Sequence, residues 1–182
     1  MWTAILLGLA AVLGFIAWVV FPRPKSRRKQ DLKAGPRRFH WVLITVYRGN
    51  ADPTLLDRDA AVRILQNDWS TKDQHDLRSK LWRYRNGEVN PGFDGVRILW
   101  LVELAVSAGW MPLEEANQWN EREWQRVREA YRSWPEYQAA VNEGRTRWWA
   151  EIARRPMSDG DRERAAQSLI DAQPLLAAVP WS

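Results

Sequence analysis

Asp94 and Arg97 stand three residues apart, a spacing that makes them neighbours on a helix surface. A desolvated aspartate beside a guanidinium can orient a phosphate or a carboxylate, and Arg145 offers a second cation for the same task. The competing reading is structural: Asp94 caps a helix, while Arg97 pairs with it and locks that helix to the one bearing Arg145. Capping already accounts for Asp94, so the structural reading is preferred. Glu103 is a further acid on this segment, but nine residues at about 100° each set it about 180° from Asp94. A paired-carboxylate hydrolytic site is therefore excluded. Glu103 is expected to pair with an arginine elsewhere in the fold.

Other chemistries are thinly supplied. The chain has no cysteine, which removes disulfides, thiolate catalysis and Cys-ligated metals. Its two histidines, His40 and His75, cannot build a multi-histidine metal site, and His75 lies in a polar run expected to be solvated. No glycine-rich phosphate loop and no nucleophile elbow is present, so neither a cofactor nor a metal is expected. Of the 13 tryptophans, eleven follow residue 38. In Arg145-Thr146-Arg147-Trp148-Trp149 they alternate with arginine as a single-strand stacking platform would. Such a platform needs a positive groove, and the chain beyond residue 38 carries a net −2. The tryptophans are therefore assigned to core and interface, and nucleic acid is not an expected partner.

The elements that must position these residues divide the chain in three. Apolar residues make up 46% and charged residues 27%, a balance that excludes a disordered chain or a multi-span membrane protein. Residues 2–21 carry no charge, and Thr3 is their one polar side chain. A helix of that length spans about 30 Å, the hydrocarbon thickness of a bilayer, and Trp2 and Trp18 lie near its two ends. Residues 1–21 are thus read as one N-terminal transmembrane helix; no basic n-region precedes them as a cleaved signal would require. Residues 22–38 form a basic linker with eight Lys/Arg against Asp31, a local charge of +7. Lys/Arg beside a span stay cytoplasmic. The amino terminus should face out across the inner (plasma) membrane and residues 39–182 should form a cytoplasmic domain. Arg23, Lys25, Arg27, Arg28 and Lys29 are placed to touch anionic lipid headgroups.

Residues 39–182 read as an all-α domain, a single compact helical bundle. Phe39–Tyr47 is β-branched enough for a strand but has no second strand to pair with, so it is read as helix. Asp57–Trp69 has helical apolar spacing. Ser70-Thr71-Lys72-Asp73 resembles a capping box that starts a helix stopped by Asn86-Gly87. Pro91-Gly92 is read as a turn, with Asp94 capping a helix over about 94–108 that is apolar nearly all round and belongs at the centre. Pro112 opens a long helix, Ser133-Trp134-Pro135-Glu136 starts another that ends before Pro156, and Ser158 starts a last one that Pro174 ends.

An ordered set of motifs runs through the second half: Phe93-Asp94-Gly95-Val96-Arg97, Ala108-Gly109-Trp110, Glu115-Ala116, Ser133-Trp134, Gly144-Arg145 with Trp148, and Pro180-Trp181. It resembles the bacterial family catalogued as domain of unknown function 1266, over roughly 93–181 with weaker similarity back to about residue 39. Glu103, where the family is often basic, and Asn117, where it carries tryptophan, are departures. The resemblance implies a soluble helical domain and brings no settled activity, substrate or cofactor. It marks Asp94, Arg97, Glu115, Trp134, Gly144 and Arg145 as the candidate motif. The expected function is a membrane-anchored, non-catalytic module that binds another protein. The alternative is an enzyme acting on a phosphate-bearing substrate through Asp94, Arg97 and Arg145.

Overall fold

A computed structural model describes residues 36–49 and 56–181. The expected transmembrane segment 1–21 lies outside them, as do the lipid-contact residues Arg23, Lys25, Arg27, Arg28 and Lys29. Among the described residues there are seven α-helices and no strand, and no helix is long and apolar enough to cross a membrane. The helices are α1 (Pro36–Arg48), α2 (Arg58–Asn67), α3 (Gln74–Arg85), α4 (Pro91–Ser107), α5 (Leu113–Ala130), α6 (Trp134–Arg147) and α7 (Asp159–Ala178). A π-helical turn, Trp148–Ile152, continues α6.

The central helix is α4, buried without interruption from Gly92 to Ala105. Helices α1, α2, α3, α5 and α6 all pack on it, and α7 lies against α1 and α6. Phe39–Tyr47 is helical, as its lack of a pairing strand requires. Its helix starts earlier, with Pro36 in the first turn, where a proline loses no intrahelical bond.

Four local readings are corrected. Pro91-Gly92 is no turn but the first two residues of α4, capped by Asn90, whose Oδ1 accepts from the Phe93 amide at 2.8 Å. Asp94 therefore does not cap α4; it lies inside the first turn. The start of α3 is capped by Asp73, which accepts from the His75 and Asp76 amides, rather than by Ser70. Ser70 instead takes a left-handed conformation, with φ of 48°, in the connection before it. Pro174 does not end α7, which runs on to Ala178. A proline inside a helix costs about 3 kcal/mol, and burial offsets it: Leu169 and Ala172 before it and Leu175 and Leu176 after it all pack on the core.

The tryptophans mostly close the fold. Trp134 stacks on Phe39 with centroids 4.8 Å apart, and Trp181 meets Trp134 edge-on at 4.7 Å. Their indole N–H groups donate to the Val179 and Tyr131 carbonyls, so the buried Trp134 and the half-buried Trp181 both have their polar edges satisfied. Trp134 is thus a clamp that fastens the carboxyl-terminal segment to α1 and α6.

Candidate functional site

The first turn of α4 is where sequence and structure meet. Asp94 is fully buried, and its Oδ2 accepts from the Glu88 and Val89 amides at 3.0 and 2.8 Å. It ties down the connection before its own helix. Burial pushes its pKa above the usual carboxylate range, against the opposing pull of the Val89 amide and Arg97. Arg97 is 3% exposed. Its Nη1 lies 2.8 Å from Glu88 Oε2 and 3.7 Å from Asp94 Oδ1, and its Nη2 donates to the Tyr84 hydroxyl at 2.6 Å. The guanidinium lies 3.8 Å from the centroid of the Tyr84 ring, with Phe93 and Trp148 further off. Charge, hydrogen bonds and ring faces are all engaged.

The six motif residues do not gather at one point. Glu115 pairs with Arg78 at 3.0 Å on the surface, joining α5 to α3. Gly144 packs against Phe93, so closely that a Cβ there would lie 2.4 Å from the phenylalanine's own. Arg145 does not join Asp94 or Arg97, contrary to the expected lock between their helices. Its Nη2 donates to the Tyr47 carbonyl at 3.0 Å in the last turn of α1, because α1 ends between α6 and α7 and exposes its unpaired carbonyls there. Glu103 meets Asn120, whose Nδ2 donates at 3.0 Å, and lies 3.7 Å from His40.

Beside the closed Asp94–Arg97 network lies an open groove of about 910 Å³. Tyr47, Trp69, Tyr84, Phe93, Trp148 and Trp149 supply its aromatic walls. Arg48, Lys72, Lys80, Arg83, Arg97 and Arg155 face three acids, Asp68, Asp76 and Glu88, so six cations against three carboxylates leave +3. Lys80 donates to the Trp69 carbonyl, and burial pushes its pKa down, with Arg83 and Arg97 adding to the effect. Arg155 sits 4.2 Å over the Trp149 ring, on the far side of the π-helical turn. One extra residue in that turn re-aims the two tryptophans relative to α6, a device often found at functional sites.

The family described as "Protein of unknown function (DUF1266)" matches residues 55–181. The chain belongs to that family. No curated protein and no solved structure matches it. Within this family member the groove residues Lys72, Lys80, Arg83 and Arg155 escaped sequence reasoning, because the fold brings them together from α3, the connection before it and the segment after the π-helical turn. The −2 of the domain as a whole also concealed their local excess. Glu123 escaped it too: its buried carboxylate holds Arg126 at 2.8 Å and Arg85 at 3.5 Å. The alternation of arginine and tryptophan over 145–149 was the one signal that pointed to the groove.

Proposed function

We propose that this chain is a single-pass, membrane-anchored module that holds a non-catalytic helical domain at the cytoplasmic face. There it docks an acidic, aromatic-bearing segment of a partner protein. The open groove carries this reading. Its aromatic walls suit apolar side chains, and its +3 suits an acidic segment. Asp68, Asp76 and Glu88 interrupt the cations, which suits a peptide with spaced acids better than a phosphate backbone charged at every nucleotide. The enzyme alternative through Asp94, Arg97 and Arg145 draws less support: Asp94 is sealed from any substrate, and Arg145 bonds the Tyr47 carbonyl rather than Asp94. The anchor rests on the uncharged residues 2–21, and the orientation on the basic run after them, which also suits anionic headgroups.

The test uses the full chain in detergent micelles and a synthetic Glu-Glu-Phe repeat peptide, followed by calorimetry. Saturable binding is expected, weakened about tenfold by the charge reversals Lys72→Glu and Arg155→Glu, both at exposed positions. Oligothymidylate should bind more weakly than the peptide. Absence of peptide binding, or tighter binding of the oligonucleotide, overturns the docking reading. The topology has its own readout. A reporter fused after Ser182 that is active only outside the cytoplasm is expected to stay silent, and an active reporter reverses the orientation.

A further inference from the structure

The groove has a second limb of about 570 Å³ that shares Tyr47, Arg48, Asp68, Phe93, Trp148 and Trp149 with the first and ends at Arg145. Arg145 is 8% exposed. Among the described residues no carboxylate pairs with it; Nη2 is spent on the Tyr47 carbonyl, and Nη1 makes no hydrogen bond. A buried guanidinium in that condition is costly, and buried charges are ordinarily paired. Arg48 stands close enough for its charge to weigh on Arg145, and among the described residues it too has no carboxylate partner; its guanidinium lies over Trp100 at 4.7 Å.

The structural explanation for both arginines is the carboxyl end of α1, which Arg145 reaches through Tyr47 and which Arg48 terminates. That explanation is too small. A helix end carries roughly half a negative charge, against two full positive ones. Three carboxylates line this limb, and none forms an ion pair with Arg48 or Arg145. Asp161 is held by Arg164 and Ser158, Asp171 by Gln167, and Asp68 terminates α2.

We infer that the Arg48–Arg145 end of the groove is a seat for a phosphate-type dianion. Two guanidiniums, neither in an ion pair with a described carboxylate, suit an oxyanion, and a planar fork suits a tetrahedral one. The phosphate is either free or carried on a small molecule, whose body would then lie along Trp148 and Trp149. This site stands apart from the docking reading: it depends on Arg48 and Arg145, whereas the peptide test reads Lys72 and Arg155.

The experiment titrates the full chain in detergent with inorganic phosphate, phenyl phosphate and acetate at matched ionic strength, again by calorimetry. Saturable phosphate binding is expected, with acetate at least about tenfold weaker. Arg48→Gln, at an exposed position where folding is not at stake, should weaken phosphate about tenfold. Arg145→Lys, which keeps the charge and loses the fork, should weaken it as well. Phenyl phosphate binding tighter than inorganic phosphate points to a carried phosphate, and equal binding points to the free ion; both support the seat. A variant with Arg23, Lys25, Arg27, Arg28 and Lys29 all changed to Gln should bind as the parent chain does. No saturable phosphate binding, equal binding of acetate, or loss in this linker variant with retention in Arg48→Gln overturns the inference.

Discussion

Replacing Arg97 with alanine is expected to lower the melting temperature by roughly 6–20 °C. The side chain holds Glu88 at 2.8 Å and the Tyr84 hydroxyl at 2.6 Å, and it balances a fully buried Asp94. Removing it takes from the unexposed Asp94 its arginine and from the buried Tyr84 ring its guanidinium, while Glu88 keeps Arg83 at 3.3 Å. Breaking one side of a buried pair costs about 3–5 kcal/mol. For a domain of this size each kilocalorie moves the midpoint by about 2–4 °C, and the total stability is only about 5–15 kcal/mol. Arg97→Lys should recover little, because one ammonium cannot serve Glu88, Tyr84 and the ring face together. The measurement is thermal unfolding of the full chain in detergent, followed by near-ultraviolet circular dichroism. A melting temperature unchanged in Arg97→Ala would show that the network contributes nothing to stability and would return Asp94 and Arg97 to the list of ligand-binding groups.

How much of this was legible in the sequence can be argued from the same residues. The adjacency of Asp94 and Arg97 followed from helical spacing, and the centrality of α4 followed from a segment apolar on every face. Ser133 and Ser158 capped where their types and positions said they would. The helix-start signal at Asn90-Pro91 was misread because Asn90, Pro91 and Asp94 each suit a helix beginning, and only the geometry decides which one is the cap. Asp94's true partners are backbone amides of residues 88 and 89, and amides leave no trace in residue type. The partner of Arg145 is likewise a carbonyl, 98 positions away along the chain. The groove cations lie on α1, before and on α3, on α4 and beyond the π-helical turn, so their convergence is a property of packing. Local periodicity found the helices; it had no means to find what their ends bring together.

Gly144 is the position where that packing leaves least room, and Gly144→Ala is expected to destabilise the protein by roughly 1–4 kcal/mol. On an open helix face the same change stabilises by about 1 kcal/mol, since alanine is the better helix former. Here the added methyl would stand 2.4 Å from Phe93 Cβ, 2.8 Å from its Cγ and 3.0 Å from Asn90 Nδ2. Phe93 is buried in the first turn of α4, and its Cβ cannot move without the helix. Asn90 caps that helix and also donates to the Ala140 carbonyl at 2.9 Å, so displacing it breaks both bonds. Relief therefore requires α4 and α6 to separate, which loosens the Phe93 wall that the two limbs of the groove share. Gly160 provides the contrast. It lies in the first turn of α7, where an added Cβ would meet the Arg164 guanidinium at an ordinary 3.6 Å. Gly160→Ala should be neutral or slightly stabilising, so the two glycine variants are expected to shift the urea midpoint in opposite directions. A Gly144→Ala protein as stable as its parent would mean that α6 can move off α4 at little cost, and the close contact at Phe93 would then not be what holds the groove in shape.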